Sequence, residues 1–346
     1  YMKLDSATQD IIYASYLGSD GDESSSISYS PLMKIVGNHI YISLVMDGAN
    51  APTTDGSSFL GDLSDYFIKI NATTGVPVYA SFITGGNGSI YQDFIVEGNS
   101  IYIVGAVLGS DIIYPTTDGS SYPDGSLTNS KTYFKKINNT NYSTEVFTLK
   151  DLFNGENFDE FLAQNKIYKS GNNIYSVINM VCDPLDTLVT IPCKGSVDVL
   201  VYKINASTGQ FNMEMTVGGI KNERIGDRVV IGNKLYMIGT TSSSDFPTTN
   251  GTTIQNNSYL GELYFTVINL DTKQILLSTI LKIGNSGNSS VTPRQLIVEG
   301  NNAYIVGNTD EKQFTSTNGT KFNGEEDIFY YKLNATTGAV LAKSIF

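Results

Sequence analysis

Apolar residues fall in short bursts along this chain, and the same polar pair leads into each burst. GNHIYIS from Gly37, GNSIYIV from Gly98, GNNIYSV from Gly171, GNKLYMI from Gly232 and GNNAYIV from Gly300 all place Gly-Asn before aliphatic and tyrosyl positions. Alternation mixes with continuous apolarity inside these bursts, the pattern of strands covered on both faces. A second, turn-like phrase closes another strand: FIKINATTG ends at Gly75, VYKINASTG at Gly209 and YKLNATTG at Gly338. Gly-Asn and Asn-Ala-Thr-Thr-Gly supply the positive-φ positions that tight reversals need. In residues 84–149 the pattern predicts four strands, roughly Tyr91–Val96, Ile101–Val107, Thr132–Ile137 and Thr144–Leu149.

The two markers keep step. The residue that opens the second phrase is Asp5, Asn71, Asn138, Asn205, Asn269 and Asn334 in turn, at intervals of 66, 67, 67, 64 and 65. A fixed period of this length marks a repeat architecture. Four antiparallel strands per unit match the blades of a β-propeller, whereas separate sandwiches would need about seven strands each. The predicted fold is therefore an all-β β-propeller, a single domain over 1–346. Residues 1–17 form an extra outer strand pair, followed by blades at 18–83, 84–149, 150–217, 218–281 and 282–346. Both chain ends then supply outer strands, and three readings of the leftover pair stay open. The sequence is an excerpt of a longer chain, or the pair docks outside the ring, or it adds to a neighbouring subunit by edge pairing. The closing AKSIF is expected to be an outer strand, an exposed edge unless something pairs with it.

The wording also resembles a known repeat. YASYLG (Tyr13–Gly18), IYIVG (Ile101–Gly105), SSSDFPTTNGT (Ser242–Thr252) and YKLNATTG are similar to the bacterial and archaeal SBBP repeat, named for a seven-bladed β-propeller. The resemblance implies a propeller frequent in secreted or cell-surface proteins, with no family-wide catalytic residues. Pro-Thr-Thr-Asp/Asn-Gly recurs at Pro52, Pro115 and Pro247; the fifth unit carries STNGT at Ser316, and the third has a cysteine pair instead.

Composition narrows the function classes. A net charge of −12 and only three arginines (Arg224, Arg228, Arg294) argue against nucleic acid, because phosphate neutralisation needs clustered cations. No apolar run approaches the ~18–20 residues of a membrane span. The opening YMKLDSATQD carries no signal-peptide pattern, although other features point to export. Cys182 and Cys193 are spaced for a disulfide and suit neither a CxxC motif nor a zinc site, which favours an oxidising compartment.

Candidate chemistry is sparse. Asn-X-Ser/Thr sequons stand at Asn71, Asn87, Asn138, Asn141, Asn205, Asn250, Asn256, Asn288, Asn318 and Asn334, all in predicted loops or turns open to glycosylation. Gln92, Asp93, Arg228 and Arg294, with Asp227 and Gln295, lie near the start of inner strands. There they can line a channel mouth and bind a small ligand, or bridge neighbouring blades. SDGDESSS places Asp20, Asp22 and Glu23 in an acidic turn without the glycine and distal Glu of an EF-hand loop. With His39 as the one histidine, triads and His-based metal sites are nearly excluded. The long loops Asp47–Asp65, Leu108–Lys131, Cys182–Val197, Ser242–Glu262 and Asp310–Asp327 are predicted to share one face, the usual place for binding.

Together these features lead to the expectation of a non-enzymatic extracellular propeller with a structural or adhesive role in a surface layer, sheath or filament. Its expected partners are other copies of itself, surface proteins or glycans, and no cofactor is expected. The contrasting expectation is a glycan-binding or glycan-active propeller that uses the long-loop face.

Overall fold

A computed structural model of the chain describes residues 1–19, 31–59, 63–84, 88–108, 116–120, 130–150, 166–182, 193–254, 261–284 and 289–346. The described residues are all-β and form 22 strands in one two-stranded and five four-stranded sheets. Contacts divide the chain into two compact units, 1–163 with 204–210 and 164–203 with 211–346.

In the first unit, β1 (Met2–Leu4) and β2 (Ile11–Ala14) make the two-stranded antiparallel sheet. The next sheet runs β3 (Leu32–Val36), β4 (His39–Met46), β5 (Ser64–Asn71) and β6 (Pro77–Phe82) in order. It is followed by β7 (Gly88–Glu97), β8 (Ser100–Leu108), β9 (Ser130–Asn138) and β10 (Thr144–Lys150), again in sequence order. β7 packs on β4 and β5. The core between these two sheets is aromatic: the Phe94 and Phe67 rings meet edge to face at 5.1 Å, with Tyr41, Ile103, Tyr133 and Phe147 around them.

The second unit carries most of a sheet of β11 (Ile167–Ser170), β12 (Asn173–Val181), β13 (Val197–Asn205) and β14 (Phe211–Val217). Two further sheets follow: β15 (Glu223–Ile231), β16 (Lys234–Thr241), β17 (Glu262–Asn269) and β18 (Gln274–Leu281), then β19 (Val291–Glu299), β20 (Asn302–Thr309), β21 (Asp327–Asn334) and β22 (Val340–Ile345). β15 packs on β12, and β19 packs on β15, β16 and β17. Ile238, Leu263, Phe265, Leu296, Ile305 and Phe329 are central to the dry layer between the last two sheets.

The repeated phrases have a common physical cause. Asn71 Oδ1 accepts the N–H groups of Thr73 and Thr74, and Asn138, Asn205, Asn269 and Asn334 do the same two and three residues on. Asp5 makes the identical contacts to Ala7 and Thr8. Each turn is therefore a side-chain-capped reversal between third and fourth strands. It also latches onto the Gly-Asn turn beside it. The N–H of Ala72 donates to Asn38 O, Asn139 to Asn99, Leu270 to Asn233 and Ala335 to Asn301. Gly75 closes its turn at φ 73°, a conformation glycine adopts at no steric cost.

The Pro-Thr-Thr-Asp-Gly stretch serves the opposite strand edge. Thr54, Thr117, Thr249 and Thr317 donate their N–H to the fourth-strand carbonyls of Ala80, Phe147, Ser278 and Lys343. Their hydroxyl oxygens accept the N–H of the same four residues. The AKSIF edge does find a partner, because Thr317 in STNGT covers β22 at Lys343 and Thr320 accepts the Ile345 N–H. In the third sheet the Cys182–Cys193 disulfide, with Cα atoms 5.7 Å apart, stands where this stretch is missing.

Candidate functional site

The inner edge of the sheets carries a built polar ladder. β7, β15 and β19 each contain a β-bulge at the same repeat position, where Gln92, Gly226 and Arg294 are the extra residues. In β7 and β15 the bulge re-aims the next side chain, Asp93 and Asp227, toward a neighbouring sheet. In the first unit Asp93 is buried and bonded to Lys34 Nζ at 2.6 Å, while Lys34 also donates to Phe94 O. In the second unit Asp227 links three sheets. Its Oδ1 takes Lys166 Nζ at 2.6 Å and its Oδ2 takes the Leu296 N–H at 2.8 Å. Tyr168 donates its hydroxyl to Arg228 O.

The sequence-predicted channel residues therefore separate. Asp93, Asp227 and Arg228 are buried between sheets, whereas Arg294 and Gln295 are exposed. The Gln92 side chain lies outside the described residues, as do Asp20, Asp22, Glu23, Asn87, Asn256 and Asn288. Asn71, Asn138, Asn205 and Asn334 cap their own turns, while Asn141, Asn250 and Asn318 sit in exposed turns. His39 begins β4, 6.2 Å from the Tyr41 ring.

Sequence reading missed the acids at the long-loop end. Asp198, at the start of β13, is 1% exposed, and Glu223, at the start of β15, is fully buried at 0%. Glu223 accepts the Thr241 hydroxyl at 2.6 Å and the Gly219 N–H at 2.7 Å. Asp198 Oδ2 accepts the Lys194 N–H, but Oδ1 has no hydrogen-bond partner. Both acids converge on Gly218: the position of an added Cβ there lies 2.1 Å from Asp198 Oδ1 and 2.7 Å from Glu223 Oε2. Burial, and then the nearby Asp198 charge, push the Glu223 carboxyl above its usual range.

The same repeat position in the next sheet is Glu262, which also precedes its turn asparagine by seven residues. Its Oε2 is buried without a partner, and burial raises its carboxyl against the opposing charge of Lys282. It lines a cavity of about 30 Å³ with Gly284, Ser289 and Glu311. Ser289 donates to Glu311 Oε2 at 3.0 Å. Glu311 follows β20, at the repeat position held by Ser243 after β16.

An exposed apolar surface lies beside β1 and β2 in the first unit. β1 and β2 relate to the β3–β6 sheet as third and fourth strands relate to the sheet that follows them. Tyr1 donates to Gly75 O and Tyr13 packs on Gly75, as Tyr79 stacks on Tyr142 and Thr148 contacts Gly209. The described residues give that leading sheet two strands, β1 and β2. Met33 is 57% exposed, whereas its repeat counterparts Phe94, Ile167, Arg228 and Leu296 are 0, 4, 1 and 5% exposed. Met2, Tyr16, Leu17, Met33, Ile42 and Leu44 surround a cavity of about 710 Å³.

Among solved structures the chain resembles propeller-type enzymes. It matches an apocarotenoid oxygenase of Synechocystis at a TM-score of 0.48 and 10% identity, covering 100% of this chain and 67% of that one. A chimera of that oxygenase with RPE65 gives a TM-score of 0.50 at 9% identity, with the same coverage of both chains. The cobalt-substituted Synechocystis enzyme gives 0.50 at 8% identity, again covering 100% of this chain and 67% of that one. No family model and no curated protein sequence matches the chain.

These findings correct two expectations. The two structures matched at a TM-score of 0.50, the chimera and the cobalt-substituted oxygenase, are enzymes, so neither a non-enzymatic nature nor an extracellular structural or adhesive role is sustained. At this identity the likeness is one of fold alone, propeller-like and all-β, and no activity passes to this chain. Among the described residues no helix is long and apolar enough to cross a membrane.

Proposed function

We propose that this chain is a strand-capturing interaction module, built on an SBBP-like propeller, in an oxidising compartment. Its working feature is the exposed apolar face beside β1 and β2, which takes up a β-ribbon with the alternating aliphatic pattern of the repeat's own first and second strands, supplied by flanking sequence of the same protein or by another chain. One observation carries this reading: Met33 is open to solvent at a position that is buried in every other four-stranded sheet. The recognition chemistry is main-chain pairing along the free edge of β1, with aliphatic side chains filling the cavity beside Met33, Ile42 and Leu44. Burying apolar surface at ~25 cal/mol per Å² supplies the driving force, and ordering the incoming ribbon opposes it. The Cys182–Cys193 disulfide supports the compartment.

A synthetic peptide covering residues 223–241, the β15–β16 hairpin, tests the reading by calorimetric titration into the full chain. Saturable binding that Met33→Glu weakens at least tenfold is the expected result; Met33 is exposed, so the variant leaves the fold intact. The absence of binding, or binding that Met33→Glu leaves unchanged, would overturn it. Sedimentation of the chain alone then shows whether a second copy is the ribbon's source.

A further inference from the structure

Two buried carboxylates that converge without a counter-charge need a further partner. Asp198 and Glu223 have no ion pair among the described residues, and isolated buried charges are costly. Asp198 Oδ1 is unpartnered and aimed at the Gly218 face where Glu223 Oε2 also points. The Tyr264 hydroxyl, fully buried within range of the Glu223 charge, is unpartnered as well. Glu262, at the repeat position of Asp198 one sheet on, has an unpartnered buried oxygen, an acid opposite, the Lys282 charge within range and a cavity large enough for a single ion or water.

We propose that Asp198 and Glu223 bind one hard divalent cation of the calcium class, and that Glu262 and Glu311 form a second site one sheet on. The donor set is all oxygen, which suits Ca²⁺ or Mg²⁺ over softer metals. Cys182 and Cys193 lie within 4.8 Å of the Asp198 carboxylate, but their sulfurs are bonded to each other and do not act as thiolate ligands. Gly218 and Gly284 have a defined part here. A side chain at Gly218 would collide with Asp198, and one at Gly284 would lie 2.6 Å from Glu311 Oε2, so glycine keeps each acid in place. A cation at these positions would tie each sheet to the next at the end opposite the capped turns.

The test uses the full chain stripped with EDTA and titrated with Ca²⁺ alone by calorimetry, and with Tb³⁺ followed by tyrosine-sensitised emission. Two equivalents are expected, with Tyr264 next to the first site as the sensitiser. Asp198→Asn should remove one equivalent and most of the sensitised emission; Glu262→Gln should remove the other equivalent and keep that emission. Circular dichroism verifies folding, and Glu223→Gln replaces Asp198→Asn if that variant does not fold. Three results would overturn the proposal: no binding by the wild type; a stoichiometry that Asp198→Asn (or Glu223→Gln) and Glu262→Gln leave at two; or a metal-free protein that Glu223→Gln stabilises without affecting Ca²⁺ titration. The last would identify a carboxyl pair sharing one proton.

Discussion

At the short-turn end of the sheets, Asn71, Asn138, Asn205, Asn269 and Asn334 repeat one hydrogen-bond pattern, whereas at the long-loop end three pairs of sheets meet differently. There, Asp65 takes the Tyr133 and Thr84 hydroxyls in the first unit, while Asp198 meets Glu223 and Glu262 faces Glu311 in the second. The uniform end is solved locally, by a side chain capping its own turn. The variable end is solved between sheets, by groups that share no sequence neighbourhood. A repeat can copy the first solution unchanged, and it must reinvent the second at every interface.

Breaking the variable end should cost more. Replacing both Cys182 and Cys193 with Ser opens a short loop in the sheet that lacks the threonine clasp, so urea unfolding should show a loss of about 3 kcal/mol. Tyr133→Phe removes the 2.5 Å donor to buried Asp65 and should cost about 2 kcal/mol by the same measurement.

A pH series sharpens the contrast. Burial lowers the Lys135 ammonium to about 8, with Nζ donating to Ile83 O. The folded chain then holds fewer protons than the unfolded chain from about pH 8 up to the unfolded lysine value, so stability should rise with pH there. The slope should approach ~1.4 kcal/mol per pH unit, and Lys135→Met should flatten it between about pH 8 and 9.5, below the range where tyrosines ionise.

At the uniform end the effects should be small. Asn71→Ala should cost about 1 kcal/mol and Asn71→Asp close to nothing, because Asp5 already performs the same capping. A loss above that of Tyr133→Phe would break the comparison.

The sheets were legible in the sequence because capped turns demand the same residue types at the same spacing. The strand edges were less so. Gly88–Glu97 runs to its turn, beyond the apolar Tyr91–Val96, because backbone pairing continues past the hydrophobic positions. The acids at the long-loop end were hidden for a different reason. Glu223 opens a first strand and Glu311 follows a second, so they occupy different repeat positions, and only packing of the next sheet makes either of them buried. Gln92 and Arg294 were noticed for their polarity, although backbone register makes them bulge residues, and the adjacent Asp93 carries the contact to Lys34. Met33 gave no signal at all, because an exposed methionine and a buried one read alike in a strand.

The threonine clasp has a consequence for crowded solutions. Thr54, Thr117, Thr249 and Thr317 occupy backbone groups that an outermost strand would otherwise offer to a stranger. Edge-to-edge pairing between molecules is disfavoured at those four rims, because the groups it needs are already bonded within the chain.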